Sequence, residues 1–110
     1  MGSPISYFRT VIPSEPRLRL EMPCVIILSD GELEAKVYNI SYGGFAVRLP
    51  EGQNTFELAK LQSIAIAGIG EFAIQARWRR PASLGLKFQS KRGARPLLDA
   101  FFARTGEYPT

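Results

Sequence analysis

The stretch VYNISYGGF, Val37 to Phe45, sets a short amide, a hydroxyl and two glycines at the end of a strand-like run. Asn39 and Ser41 are residue types that read a hydrogen-bonding edge. Gly43 and Gly44 let a backbone turn, or a ligand approach, with no Cβ in the way. The same residues also punctuate strands: Asn and Ser bond backbone groups at a strand end, and a glycine pair makes a bulge or a turn with positive φ. Arginines form the second set. Arg9, Arg17 and Arg19 lie near the start, Arg77, Arg79 and Arg80 flank Trp78, and Arg92 and Arg95 follow Lys91 before the last apolar segment. Guanidinium forks grip phosphates bidentately and stack on rings, so these residues suit an anionic or aromatic ligand.

Covalent and metal chemistry find little to work with. There is no histidine and one cysteine among 110 residues, which leaves no disulfide framework and almost no ligands for zinc. An acyl-transfer base would have to be a lysine or a carboxylate, and Lys36, Lys60, Lys87 and Lys91 sit in no supporting motif. Glu32 and Glu34 share strand parity, but alternation explains them as solvent-facing. Cys24 lies inside an apolar strand, where a lone cysteine serves as a small core residue. The GIGE segment lacks the context and the lysine of a phosphate loop and reads as a hairpin turn. The expectation is a non-enzymatic binding module without metal or cofactor. Fourteen Lys and Arg against ten Asp and Glu, net +4, favour anionic partners without naming one.

Six strands are expected to position these residues. CVIIL is apolar and β-branched, SDG turns the chain, and ELEAKVYNI alternates Leu33, Ala35 and Val37 against Glu32, Glu34 and Lys36. FAVRL follows the glycines and ends at the loop PEGQNT. Leu61–Ala67 and Phe72–Arg80 flank GIGE as a second hairpin, with Phe72, Ile74, Ala76 and Trp78 on one face, and LGLKF is the last strand. Past Ser90 the period becomes helical: Ala94, Leu97, Leu98, Phe101 and Phe102 share a stripe, Ser90 is the N-cap, Pro96 falls in the first turn and Gly106 is the stop. A small closed barrel or sandwich with a terminal helix over one end follows. The expected organisation is an arm over residues 1–16, partly flexible, a barrel over 17–89, a packed helix over 90–105 and a tail over 106–110. No secretory leader or membrane span is expected, and the reading is a soluble cytoplasmic protein without membrane insertion.

Against this frame NISYGG resembles the D/N-x-S-x-x-G motif of PilZ domains, with Asn39, Ser41 and Gly44 in the defining positions. EPRLRLEMPCVII before it, FAVRL after it, and ARW and LGLKF toward the end occur in that family's order, over about Glu15 to Phe88. The resemblance implies a mainly β fold, a six-stranded antiparallel β-barrel with a C-terminal α-helix, acting as a receptor for the bacterial second messenger cyclic di-GMP. In such domains an R-x-x-x-R motif on the N-terminal arm meets phosphates and guanine faces, while the Asn/Ser/Gly motif receives a guanine. The implied ligand-binding residues are Arg17, Arg19, Asn39, Ser41, Gly43 and Gly44. The arm departs from the motif. With Arg17 as the second arginine, Pro13 stands where the first belongs, and with Arg17 as the first, Glu21 stands where the second belongs. One charge-assisted contact fewer weakens binding by roughly 1.5–3 kcal/mol, about ten- to a hundredfold or more.

Two readings follow. The first is a PilZ-type signalling module that binds cyclic di-GMP and passes the arm's position to an unidentified protein partner. The alternative is a degenerate PilZ domain that does not bind the nucleotide and serves as an adaptor between proteins. Binding of nucleic acid through Trp78 and its arginines is disfavoured, because alternation places Trp78 with the core.

Overall fold

The computed structural model describes residues 15–110. The arm expected over residues 1–16, including Arg9 and Pro13, therefore lies almost wholly outside the described residues. The strands are β1 (Leu18–Leu28), β2 (Gly31–Ile40), β3 (Gly44–Arg48), β4 (Leu61–Ile66), β5 (Gly70–Arg80) and β6 (Ser83–Phe88), followed by helix α1 (Lys91–Thr105). A 3-10 turn over Leu58–Lys60 leads into β4 and was not expected from the sequence. The strands close in the order β1-β2-β3-β6-β5-β4, with every neighbouring pair antiparallel. Among the described residues closure leaves no free sheet edge, because the long first strand pairs with β2 on one side and β4 on the other.

Alternation decides which side chains fill the barrel. Ile26, Val37, Val47, Ile64, Leu84 and Leu86 are fully buried, and each sits in a strand whose intervening residues face outward. Register shifts between Arg19 and Met22, between Val37 and Asn39, and between Ala76 and Trp78 add bends that help short strands coil into a closed wall. Helix α1 seals the end that carries the β2–β3 and β4–β5 turns. Ala94, Leu98, Phe101 and Phe102 point inward, Phe102 meets Tyr42 edge-on at 5.2 Å between ring centroids, and Arg104 donates to the Gly68 carbonyl. Leu97, expected in the buried stripe, is 41% exposed and packs beside Gly70.

The helix ends are capped as their residue types require. The Ser90 hydroxyl accepts from the Gly93 amide at 2.9 Å, and Gly106 takes a left-handed conformation with its amide on the Phe102 carbonyl. Pro96 is the sixth helical residue and not part of the first turn, so the exposed Arg92 carbonyl lacks its helical donor. At the opposite end the buried Asn54 amide donates to the carbonyls of Arg80 and Ser83, tying the β3–β4 loop to the β5–β6 turn.

Cys24 lies buried on β1 among these apolar side chains, and burial pushes its thiol up to about 12, opposed only by a backbone hydrogen bond at Val37. Since the thiolate is the reactive form, a colourimetric disulfide reagent at mildly alkaline pH should react with the native protein about a thousandfold more slowly than with an ordinary exposed thiol, and at the ordinary rate in denaturant. Rapid native labelling would contradict the core role.

Candidate functional site

The segment between β2 and β3 is organised by one hydroxyl. Ser41 is fully buried, and its Oγ accepts from the amides of Gly43 at 3.3 Å and Gly44 at 3.2 Å. Its own amide donates to the Gly44 carbonyl at 2.8 Å, and the Gly43 carbonyl accepts from Phe88 at 3.1 Å. The turn is thereby tied to itself and to β6. Neither Gly43 nor Gly44 adopts positive φ, contrary to the turn geometry allowed for them above; both are glycines for lack of room. A Cβ on Gly44 would collide with the backbone of Leu86 and Lys87, and one on Gly43 with the carboxylate of Glu15.

The chain entering β1 lies against this turn. Arg17 Nη1 donates to Asn39 Oδ1 at 2.6 Å, and Ser41 Oγ lies 3.0 Å from Glu15 Oε1. Arg19 is exposed and pairs directly with Asn39 in the β1–β2 register. Arg17, Arg19, Asn39, Ser41, Gly43 and Gly44 are thus brought to one region, with Ser41 and the glycines beneath it and the two arginines and Asn39 at its surface. Glu15 was not anticipated, and no pattern on the arm signals it.

Trp78 corrects the sequence reading. Parity placed it with Phe72 and Ile74 in the core, but the register shift after Ala76 inserts one extra residue and turns Trp78 outward. It is half-buried and lies across Gly85, where any Cβ would run into the indole, and Arg80 stacks on its ring at 4.6 Å. The ladder then puts Arg19, Asn39, Ala46, Gly85 and Trp78 in one outward row across β1, β2, β3, β6 and β5. At the usual strand spacing the Asn39 and Trp78 backbones stand roughly 14 Å apart, separated by the two smallest side chains of the row. The floor of this row is covered, with Ala46 1% exposed and Gly85 beneath the indole; its ends carry an amide with arginines and an aromatic ring with an arginine, groups that suit a ligand both anionic and aromatic.

Tyr42, in the middle of the motif, couples the floor to the helix. Its ring carries Arg95 at 3.9 Å and meets Phe102 edge-on. Partial burial and the neighbouring Asp99 carboxylate raise its hydroxyl above the ordinary tyrosine value, against the opposing charge of Arg95. A cleft of about 580 Å³ opens here between Glu15, Tyr42 and the first turns of α1. A second cleft of about 640 Å³ lies over β1, β2 and β4, lined chiefly by Pro23, Val25, Leu49 and Ala65, and includes no residue of the motif. Among the described residues no helix is long and apolar enough to cross a membrane.

Comparison with known proteins agrees with this architecture. No curated protein sequence matches the chain. Among solved structures it is similar to the crystal structure of YcgR in complex with c-di-GMP from Escherichia coli, with a TM-score of 0.52 and 18% identity over 86% of this chain and 48% of that one. The chain therefore spans about half the length of that protein, and at this identity the likeness is one of fold. The family model for the PilZ domain matches residues 13–102, which takes in Arg17, all six strands, the Asn39–Gly44 turn and most of α1. Motif, barrel order and capping helix coincide over that span, and the chain belongs to the PilZ domain family.

Proposed function

We propose that this chain is a non-enzymatic PilZ-type signalling module that binds cyclic di-GMP on the outward face between Arg17 and Trp78. The observation that carries the reading is the 2.6 Å hydrogen bond from Arg17 to Asn39, which joins the arm's arginine to the motif's amide across 22 residues of sequence. That bond uses one of the five guanidinium donors, so the others remain for a phosphate or a guanine face. Asn39 presents an amide to a base edge, Arg19 stands beside it as a second cation, and Trp78 with Arg80 provides a stacking surface for the other base. Ser41, Gly43 and Gly44 hold the turn that aims Asn39. The likeness to a protein solved with c-di-GMP bound supports the ligand class. This reading implies a cytoplasmic protein whose arm, repositioned by the nucleotide, is sensed by a protein partner.

Calorimetric titration with cyclic di-GMP tests it. Micromolar or tighter binding to the unaltered chain is expected, and a loss of at least tenfold in Arg17→Ala and in Asn39→Ala, each checked to be folded, since each removes a charge-assisted or base-reading contact. A second reading rests on the broken arginine motif, with either Pro13 or Glu21 in place of an arginine: a domain that has lost the nucleotide and acts as an adaptor between proteins. Silence in calorimetry and in amide chemical shifts at ligand concentrations near a millimolar would favour it.

A further inference from the structure

The hydroxyl proton of Ser41 has two acceptors in reach, the Gly44 carbonyl and Glu15 Oε1, each at 3.0 Å. The carbonyl already receives the Ser41 amide at 2.8 Å, and a carboxylate is the stronger acceptor, so the proton belongs to Glu15. The space for that carboxylate exists because residue 43 has no Cβ. Backbone conformation does not demand glycine there, since φ is not positive. Two residues on, Arg17 takes the Asn39 side chain. The tripeptide Glu15-Pro16-Arg17 thus engages both polar side chains of the motif at once, and Pro16, with its restricted φ, limits the freedom lost when both contacts form.

Building on the receptor reading above, we propose that Glu15 is an internal competitor for the site. Its carboxylate sits over Gly43 at the end of the floor, and with Arg17 it forms a clasp that holds the motif in the ligand-free chain. A ligand with two phosphates meets a negative charge there, so binding requires Glu15 to withdraw while Arg17 offers its remaining donors to the ligand. The apparent affinity is then the intrinsic affinity multiplied by the fraction of molecules whose clasp is open. Asn39, Ser41 and Arg17 are the binding machinery in this scheme, and Glu15 sets how readily it is available.

The test compares the unaltered chain with Glu15→Ala and Gly43→Ala, by titration with cyclic di-GMP and by amide NMR without ligand. In ligand-free Glu15→Ala the Ser41, Gly43 and Gly44 amide resonances should move, reporting loss of the clasp independently of any nucleotide. Its dissociation constant should fall about ten- to a hundredfold, the span of one charge-assisted hydrogen bond, and Gly43→Ala, which evicts the carboxylate, should move the same way. An unchanged constant overturns the competitor role, and a weaker one makes Glu15 a ligand contact instead. Unmoved amides overturn the clasp itself. Absence of binding in all three proteins tells against the receptor reading and removes the competitor role with it, while the amide shifts still decide whether the clasp exists.

Discussion

Gly44→Ala should lower the midpoint of thermal unfolding by roughly 10–20 °C, whereas Gly43→Ala, one residue earlier, should move it by no more than about 5 °C. The two positions differ in what a methyl group would meet. At Gly44 the obstacles are the Leu86 carbonyl and the Lys87 backbone, on the strand that pairs directly with β3. Backbone that is itself paired in a closed barrel cannot step aside without opening this end of the β3–β6 ladder, so the cost should reach about 3 kcal/mol, the upper part of the range for an inserted methyl. At Gly43 the obstacle is the tip of the Glu15 side chain, which reaches the turn from an exposed position and can rotate away. A scan of the two purified variants beside the unaltered protein checks this, and equal losses at both positions would show that the turn is held differently. The comparison also separates two uses of glycine in one motif: Gly44 serves the fold, and Gly43 leaves room above the turn.

Period-two alternation was enough to locate the strands, because each strand has one face in the core and a one-residue error would exchange every side chain. Ser90 and Gly106 marked the helix ends for the same reason that they cap it: one supplies an oxygen to free amides, the other accepts a left-handed conformation. The limits of the reading are equally local. Trp78 was assigned to the core since alternation carried past Ala76 assumes an unbroken ladder, and a bulge leaves no mark on the strand that contains it. The available signal was on the partner strand, where Gly85 interrupts LGLKF at the point that the indole must cross. Glu15 had no such counterpart. A contact between an arm and a turn 26 residues later follows from the register of β1 against β2 and from the space over Gly43, neither of which is a property of the arm's own residues.

Of all single truncations in the described chain, Phe102→Ala should be among the most damaging, at about 3–5 kcal/mol, a large part of the 5–15 kcal/mol that holds a typical domain together. Phe102 is fully buried at the plugged end of the barrel and meets three rings, Tyr42 at 5.2 Å, Phe101 at 5.6 Å and Tyr108 at 5.9 Å. Removing it leaves a cavity between helix and barrel that the closed sheet cannot collapse to fill. Leu97→Ala on the same helix should cost under about 1 kcal/mol, because that side chain is already 41% exposed. The loss at Phe102 should also reach the ligand face. Tyr42 stands between Asn39 and Gly44 and packs against Phe102 and Arg95, so loosening the helix frees the centre of the motif. Chemical denaturation of Phe102→Ala, Tyr42→Ala and the double variant measures this link directly, with a coupling of about 0.5–1.5 kcal/mol expected for an edge-on aromatic pair. Strict additivity would mean that helix and motif are independent, and a signal generated at the arm would then need a route to its partner other than through α1.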